Sequence, residues 1–232
     1  EAVGRKAGER AVARLNPRKL ATQSAPVLLT PQIAGGFIGH AISALFGGSL
    51  YRKTSFLLDS MGKPVFAPLV DIVDDPFIAQ AYASSPFDQE GVTCQRRSII
   101  EKGVVRGYFL SAYSARKLGM QSTGNAGGNH NLLVTPTMRG DTAVLARQMG
   151  RGLVVTELMG QGVNPVTGDY SRGAAGFWVE GGEIAYPVSE ITIAGNLLDL
   201  YQRIVAIGDD IDRRGSKLVG SLLIESMQIA GT

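Results

Sequence analysis

The segment GRGLVVTELMGQGVNPVTGDYSRGAAGFWVEGGEIAYPVSEITIAGNL, residues 150–197, decides the fold. Residues 153–159 form an apolar run of strand length, and the Gly, Asn and Pro residues that follow mark a loop. Two further strand-like runs meet at Gly181-Gly182, the signal of an antiparallel hairpin. The second of them feeds a helix after Gly195.

Outward from this stretch, residues 196–207 place Leu197, Leu200, Ile204 and Ile207 on one helical face and predict an amphipathic helix. The acidic cluster Asp209, Asp210 and Asp212 comes next, and residues 220–230 read as two closing strands parted near Ser226. Upstream, residues 91–110 predict a hairpin around Glu101-Lys102-Gly103. Residues 111–119 predict a short helix ended by Gly119, and residues 138–150 another helix. Residues 26–30 read as a strand. Residues 31–46, PQIAGGFIGHAISALF, read as a buried helix opened by Pro31 and weakened by its glycines. Residues 47–90 mix short strands with turns at 60–64 and 74–76. The whole predicts an α+β fold: antiparallel hairpins forming a curved or barrel-like sheet, with three or four helices packed on it.

At 232 residues and 44% hydrophobic, the chain is long enough to bury a large core without staples. A single cysteine, Cys94, excludes an intrachain disulfide framework and suits a reducing compartment. The longest apolar run, residues 33–46, is broken by three glycines and a histidine and falls short of the roughly 20 residues a membrane span needs. With neither an initiator methionine nor a charged-then-apolar leader, the chain reads as a fragment or a mature piece. The formal net charge is +3, and residues 1–20 alone hold six Lys and Arg against two Glu, so the body is close to neutral. That leaves no basic footprint for nucleic acid, and the aromatic residues are not interleaved with basic ones. Val3, Ala7, Ala11 and Leu15 predict a leading amphipathic helix stopped by Asn16-Pro17.

Several acidic and nucleophilic groups are candidates for chemistry. Asp71, Asp74, Asp75, Asp88 and Glu90 lack the spacing of a calcium loop and read as solvated loop carboxylates. Ser114-x-x-Lys117 has the spacing in which a lysine activates a serine nucleophile. Without the companion motifs it reads as a helix cap beside a solvated lysine. The loop TGNAGGNHN, residues 123–131, is the most polar and flexible stretch, but it lacks the preceding strand, following helix and lysine of a phosphate cradle.

Three motifs in order, TELMGQG at 156–162, TGDYSRGAAGFWVE at 167–180 and YPVSEITIAGNL at 186–197, carry a resemblance. They resemble the TldD/PmbA metalloprotease family, also known as modulators of DNA gyrase, and within it the PmbA/TldE type of subunit. The resemblance runs from about Arg10 to the end. It implies that residues 1–20 end a middle region, that residues 21–232 form the family's C-terminal domain, and that a further N-terminal region exists. It also implies a cytoplasmic complex in which a TldD-type subunit holds zinc and cleaves unfolded or ribosomally made peptides. A TldD-type chain carries its zinc motif, H-E-x-x-x-H, in the helix at 31–46. On this sequence Gly35 stands at the first histidine, Gly36 at the glutamate and His40 at the second histidine. Catalytic zinc takes three protein ligands plus an open position, and a neighbouring carboxylate accepts the proton of the attacking water. Residues 35–45 contain no carboxylate. Histidines five apart stand about 140° apart around a regular helix, so even the complete motif needs a distorted turn. The cysteine a TldD-type chain supplies near its end has no counterpart in SKLVGSLLIE, residues 216–225. A site converging from His40, Cys94 and His130 has no local ligand spacing behind it. His40 instead reads as a core or cleft histidine bonded to a backbone carbonyl.

These readings lead to a PmbA/TldE-type, non-catalytic subunit of a zinc hydrolase complex. No catalytic residue or metal is expected in this chain, and zinc is expected in a TldD-type partner. Unfolded peptides are the expected ligands, paired along exposed strand edges. The peptide-channel candidates are His40, Thr123, Asn125 and His130, the last three because the resembled family has a T-G-N loop in its active-site half. The alternative is a stand-alone homo-oligomeric peptide-binding protein without proteolysis, and a homodimer is open to the isolated chain. Neither nucleic acid nor a membrane is an expected partner.

Overall fold

The structure is a computed structural model and describes residues 1–231. In chain order its elements are α1 (Ala2–Val12), β1 (Gln23–Leu29), α2 (Pro31–Ala44), α3 (Gly47–Tyr51), β2 (Ile72–Asp75), β3 (Arg97–Glu101), β4 (Val104–Val105), α4 (Ala112–Leu118), β5 (Asn131–Val134), α5 (Thr142–Met149), β6 (Gly152–Met159), β7 (Asp169–Glu180), β8 (Glu183–Asn196), α6 (Leu197–Gln202), β9 (Ile204–Ile207), β10 (Lys217–Leu218) and β11 (Leu222–Ala230). The fold is α+β, as the strand and helix patterns predict, with six helices among the described residues instead of three or four.

Two sheets organise it. The first runs β1-β6-β7-β8-β11-β9, and β11 also pairs with β1, so β1, β6, β7, β8 and β11 close into a five-stranded barrel. β1 and β6 are parallel, whereas the other barrel pairs are antiparallel. β8 and β9 share one edge of β11, β9 on residues 222–224 and β8 on residues 228–230. The second sheet runs β10-β5-β2-β3-β4.

The β7–β8 hairpin turns at Gly181-Gly182, whose φ values of 61° and 82° are the positive pair that a type I′ turn requires. β6 and β8 each bulge where they face β7, and bulges bend a strand into the curvature a small barrel needs. At one bulge the Gly176 backbone passes so close that an added Cβ would stand 1.9 Å from the Val154 carbonyl oxygen. Val27, Leu29, Leu153 and Val155 carry one face of the β1–β6 pair into the main core, which includes α2. Leu28, Val154, Val179 and Leu223 carry the other face, which α5 covers with Leu145 and Ala146.

Four expectations change. The predicted helix at 196–207 is only α6, followed by β9, because Ile204 and Val205 open a β-branched run whose spacing fits both periods. The two strands expected at 220–230 are one, β11, bulged at Glu225-Ser226 opposite Pro26, which has no N–H to give to a ladder. α1 buries no side chain, so its apolar residues face solvent, and Arg14 ties this segment to β6 through its ion pair with Glu157 and a hydrogen bond to Thr156 Oγ1 at 3.3 Å. Finally, Asp74 lies within β2 and is fully buried, and Asp88 is also buried, so these two are not solvated loop carboxylates. Among the described residues, no helix is long and apolar enough to cross a membrane.

Candidate functional site

α2 starts at Pro31, where a proline costs no hydrogen bond, and it buries Phe37, Ile38 and Ile42 against the barrel. Its glycines leave one side without side chains, and Lys217 of β10 lies along that side. A Cβ on Gly35 would meet Lys217 Cβ at 3.8 Å, and one on Gly39 would meet Lys217 Cε at 2.9 Å and Nζ at 3.7 Å. Next to this crossing stands His40, half-buried, with its ring edge-on to Tyr170 at 6.0 Å. The carbonyl partner expected for His40 is absent: among the described residues its ring makes no hydrogen bond. Burial lowers its pKa, and Arg172 and Lys217 lower it further.

Tyr170 and Arg172 alternate along β7 and so share one face of it. Tyr170 is buried beside Phe37, which in turn meets Tyr201, and Tyr201 donates its hydroxyl to the Phe37 carbonyl at 3.0 Å. This aromatic cluster fixes α2 against β7 and α6. The Tyr170 hydroxyl and the Arg172 Nε are both buried without a hydrogen-bond partner. Burial pushes the Tyr170 hydroxyl up to about 12, with Arg172 pulling the other way.

The loop at 123–131 is not a slack polar stretch. Asp74 accepts the His130 backbone N–H at 2.8 Å and the Asn125 amide at 2.9 Å, and its Oδ2 lies 3.1 Å from His130 Nδ1. Asn125 Oδ1 accepts from Arg97 and from Thr123 Oγ1. Thr123 Oγ1 also accepts the Leu110 N–H. On the far side of the ring, Cys94 Sγ is 3.1 Å from His130 Nε2. Asp88 accepts N–H groups from Glu90, Val92 and Ala126. Burial alone would raise its pKa, but these three bonds and His130 together hold it below the usual carboxylate range.

Thr123, Asn125 and His130 are therefore brought together, with their side chains turned to supporting the loop, while His40 belongs to a separate cluster. Cys94 and His130 do converge, but His40 does not join them. Among the described residues, no three His, Cys, Asp or Glu side chains gather as a metal site would require. Ser114 is half of a capping box with Ser111, and Lys117 lies over the Tyr113 ring, as the cap reading expects.

Supported in this way, the loop contributes Gly127, Gly128 and Asn129 to a groove of about 680 Å³ that Tyr51, Tyr82 and Tyr113 also line. Its opposite side borders a second depression of about 340 Å³ that reaches His130. Ser216 lines the aromatic groove and also a third depression, about 410 Å³, formed by Gly35, Gly36 and Lys217. The two surfaces meet there, and Asn129 Nδ2 reaches Ser216 Oγ at 3.4 Å.

Residues 22–231 match the family described as the PmbA/TldA metallopeptidase C-terminal domain. The chain belongs to the PmbA/TldD family. The Metalloprotease PmbA homolog of Haemophilus influenzae is 52% identical over 229 residues, covering 99% of this chain and 51% of the relative. The Metalloprotease PmbA of Escherichia coli O157:H7 is also 52% identical, over 231 residues, covering 100% of this chain and 51% of that protein. The crystal structure of a Bacteroides thetaiotaomicron protein described as a modulator of DNA gyrase superposes with a TM-score of 0.94 at 33% identity, covering 99% of this chain and 52% of that one. This chain thus spans about half the length of the PmbA/TldD relatives it matches. Asp74, Tyr170, Arg172 and Lys217 are site residues that sequence reasoning did not select.

Proposed function

We propose that this chain is the C-terminal domain of a PmbA/TldE-type subunit that holds an extended, unfolded or ribosomally made peptide while a TldD-type partner supplies zinc and the general base. The observation that carries this reading is the set of groups around His40. Zinc is bound by thiolate, imidazole and carboxylate groups. The neighbours of His40 are Tyr170, Arg172 and Lys217, and two of these are cations that repel a dication. Gly35 and Gly36 supply no ligand, and the neighbour a side chain at position 35 would meet is the Lys217 stem, with its Cβ 3.8 Å away. The residues present do not fit the ion.

They do suit peptide holding. The aromatic wall offers apolar contact through Tyr51 and Tyr113, whose rings meet edge to face at 5.7 Å. The loop at 123–131 adds glycine-rich main chain, which can exchange hydrogen bonds with an extended ligand without regard to its sequence. Rigid support from Asp74 lowers the entropy such a wall would lose on binding.

The test uses the full-length protein, a TldD-type partner and their mixture, each assayed for zinc content and for hydrolysis of an unstructured peptide. Chelator-sensitive hydrolysis is expected in the mixture, with no stoichiometric zinc carried by the PmbA/TldE-type protein alone. Stoichiometric zinc and hydrolysis in that protein alone would overturn the reading. Peptide binding with no hydrolysis in the mixture would favour a stand-alone binder instead.

A further inference from the structure

The cluster beside α2 has more donors than acceptors. Lys217 and Arg172 form no ion pair among the described residues, whereas Arg214 nearby is held by Asp212. The Arg172 Nε and the Tyr170 hydroxyl are buried with nothing to bond. Native proteins rarely leave such groups unsatisfied, and a pair of them on one strand face, beside an unpaired ammonium, is the pattern of a site lacking its anion. Tyr170 is only 2% exposed, so bulk water does not relieve its hydroxyl.

We propose that Arg172, Lys217 and the Tyr170 hydroxyl form a carboxylate-binding subsite, which seats a carboxylate of the peptide lying in the aromatic groove. The chemistry selects a carboxylate. A guanidinium presents its Nε–H as one prong of a fork that matches two carboxylate oxygens, and a tyrosine hydroxyl can donate to the same group. Lys217 adds a point charge, and the glycines of α2 let it lie flat instead of projecting into solvent. Lys217 is the member of the subsite that connects to the groove, since Ser216 borders the aromatic surface and, with its chain neighbour Lys217, the adjoining depression. His40 complements this arrangement: with its pKa lowered it stays neutral and adds no third charge. The subsite rests on the peptide-holding reading above, and its carboxylate has two sources, the peptide's C-terminus or an acidic side chain.

The test measures binding of a fluorescent unstructured peptide to the full-length protein by anisotropy, in three forms: free C-terminus, amidated C-terminus, and acidic side chains changed to amides. One of the two neutralised forms is expected to bind at least about tenfold more weakly, and which one identifies the source. In the Arg172→Gln, Lys217→Met double variant the three forms should bind alike, near the weaker value. Tyr170→Phe, which keeps the ring in the core, should lose a smaller part of the difference at unchanged melting temperature. If all three forms bind the unaltered protein equally while Tyr113→Ala weakens all of them, the subsite is wrong and the groove stands. If none binds, the peptide-holding reading falls and the subsite with it.

Discussion

Cys94 Sγ stands 3.1 Å from His130 Nε2, and the same ring places Nδ1 at 3.1 Å from Asp74 Oδ2. The connectivity is that of a nucleophilic triad, but the environment gives it the opposite sense. Burial raises the thiol pKa, and Asp88 and Asp74 raise it further, so Cys94 stays a protonated donor, with the Gly124 carbonyl also within reach at 3.5 Å. The first expectation is that native Cys94 resists iodoacetamide at pH 8 and is alkylated on unfolding in urea, read by mass spectrometry. Prompt alkylation of the folded protein would show a thiolate where this geometry places a thiol.

Asp74 is the acceptor on which the loop at 123–131 depends. Asp74→Ala leaves the His130 N–H without its acceptor and the Asn125 amide with only the Gly128 carbonyl at 3.2 Å and His130 Nδ1 at 3.3 Å, at a cost of about 2 kcal/mol. The check is the urea midpoint. Asp74→Asn keeps one acceptor oxygen and should lose less. Equal losses in the two variants would mean that packing, not acceptance, is what Asp74 contributes.

His40 predicts a pH dependence. Its folded pKa lies below the ordinary 6.5, so the folded state binds its proton more weakly than the unfolded chain does. The stability it contributes is fully present above pH 6.5 and is lost as the pH falls through that value toward the folded one. The difference in stability between the unaltered protein and His40→Gln should therefore be flat above pH 7 and decline below about 6.5. A difference that rises on acidification would reverse the assigned environment.

The Lys217–Gly39 crossing predicts a change of sign. Gly39→Ala should be neutral or destabilising, because the new Cβ meets Lys217 Cε at 2.9 Å. In a Lys217→Ala background the same change should stabilise by about 0.5–1 kcal/mol, the ordinary gain of alanine over glycine inside a helix. Thermal melts of the four proteins complete the cycle.

Elements whose signals are local were legible in the sequence. Gly181-Gly182 and Lys102-Gly103 fix two turns through their own backbone preferences, and Pro31 opens α2 wherever that helix packs. What escaped depends on distant chain. Asp74 sits among turn-forming residues, and its burial is decided by Asn125 and His130, some fifty positions later. Arg172 and Lys217 occupy ordinary strand contexts, one in the barrel and one in the second sheet, and only the packing of both around α2 brings them beside His40. One hint was present: glycines at 35 and 39, one helical turn apart, mark a side on which something else must lie. The run at 204–207 went astray because four apolar residues after a helix satisfy either period.

The seam between β1 and β11 sets the order in which the molecule can form. Gln23 pairs with Ile229, so the ring is completed by strands that lie almost the whole chain apart. Contacts of such separation form late and slowly, because the intervening chain must be ordered first. Until β11 arrives, β1 and β8 each present an open edge able to recruit a strand from another molecule. Loss of β11 would therefore do more than shorten the protein: it would turn a closed ring into an open, self-associating sheet.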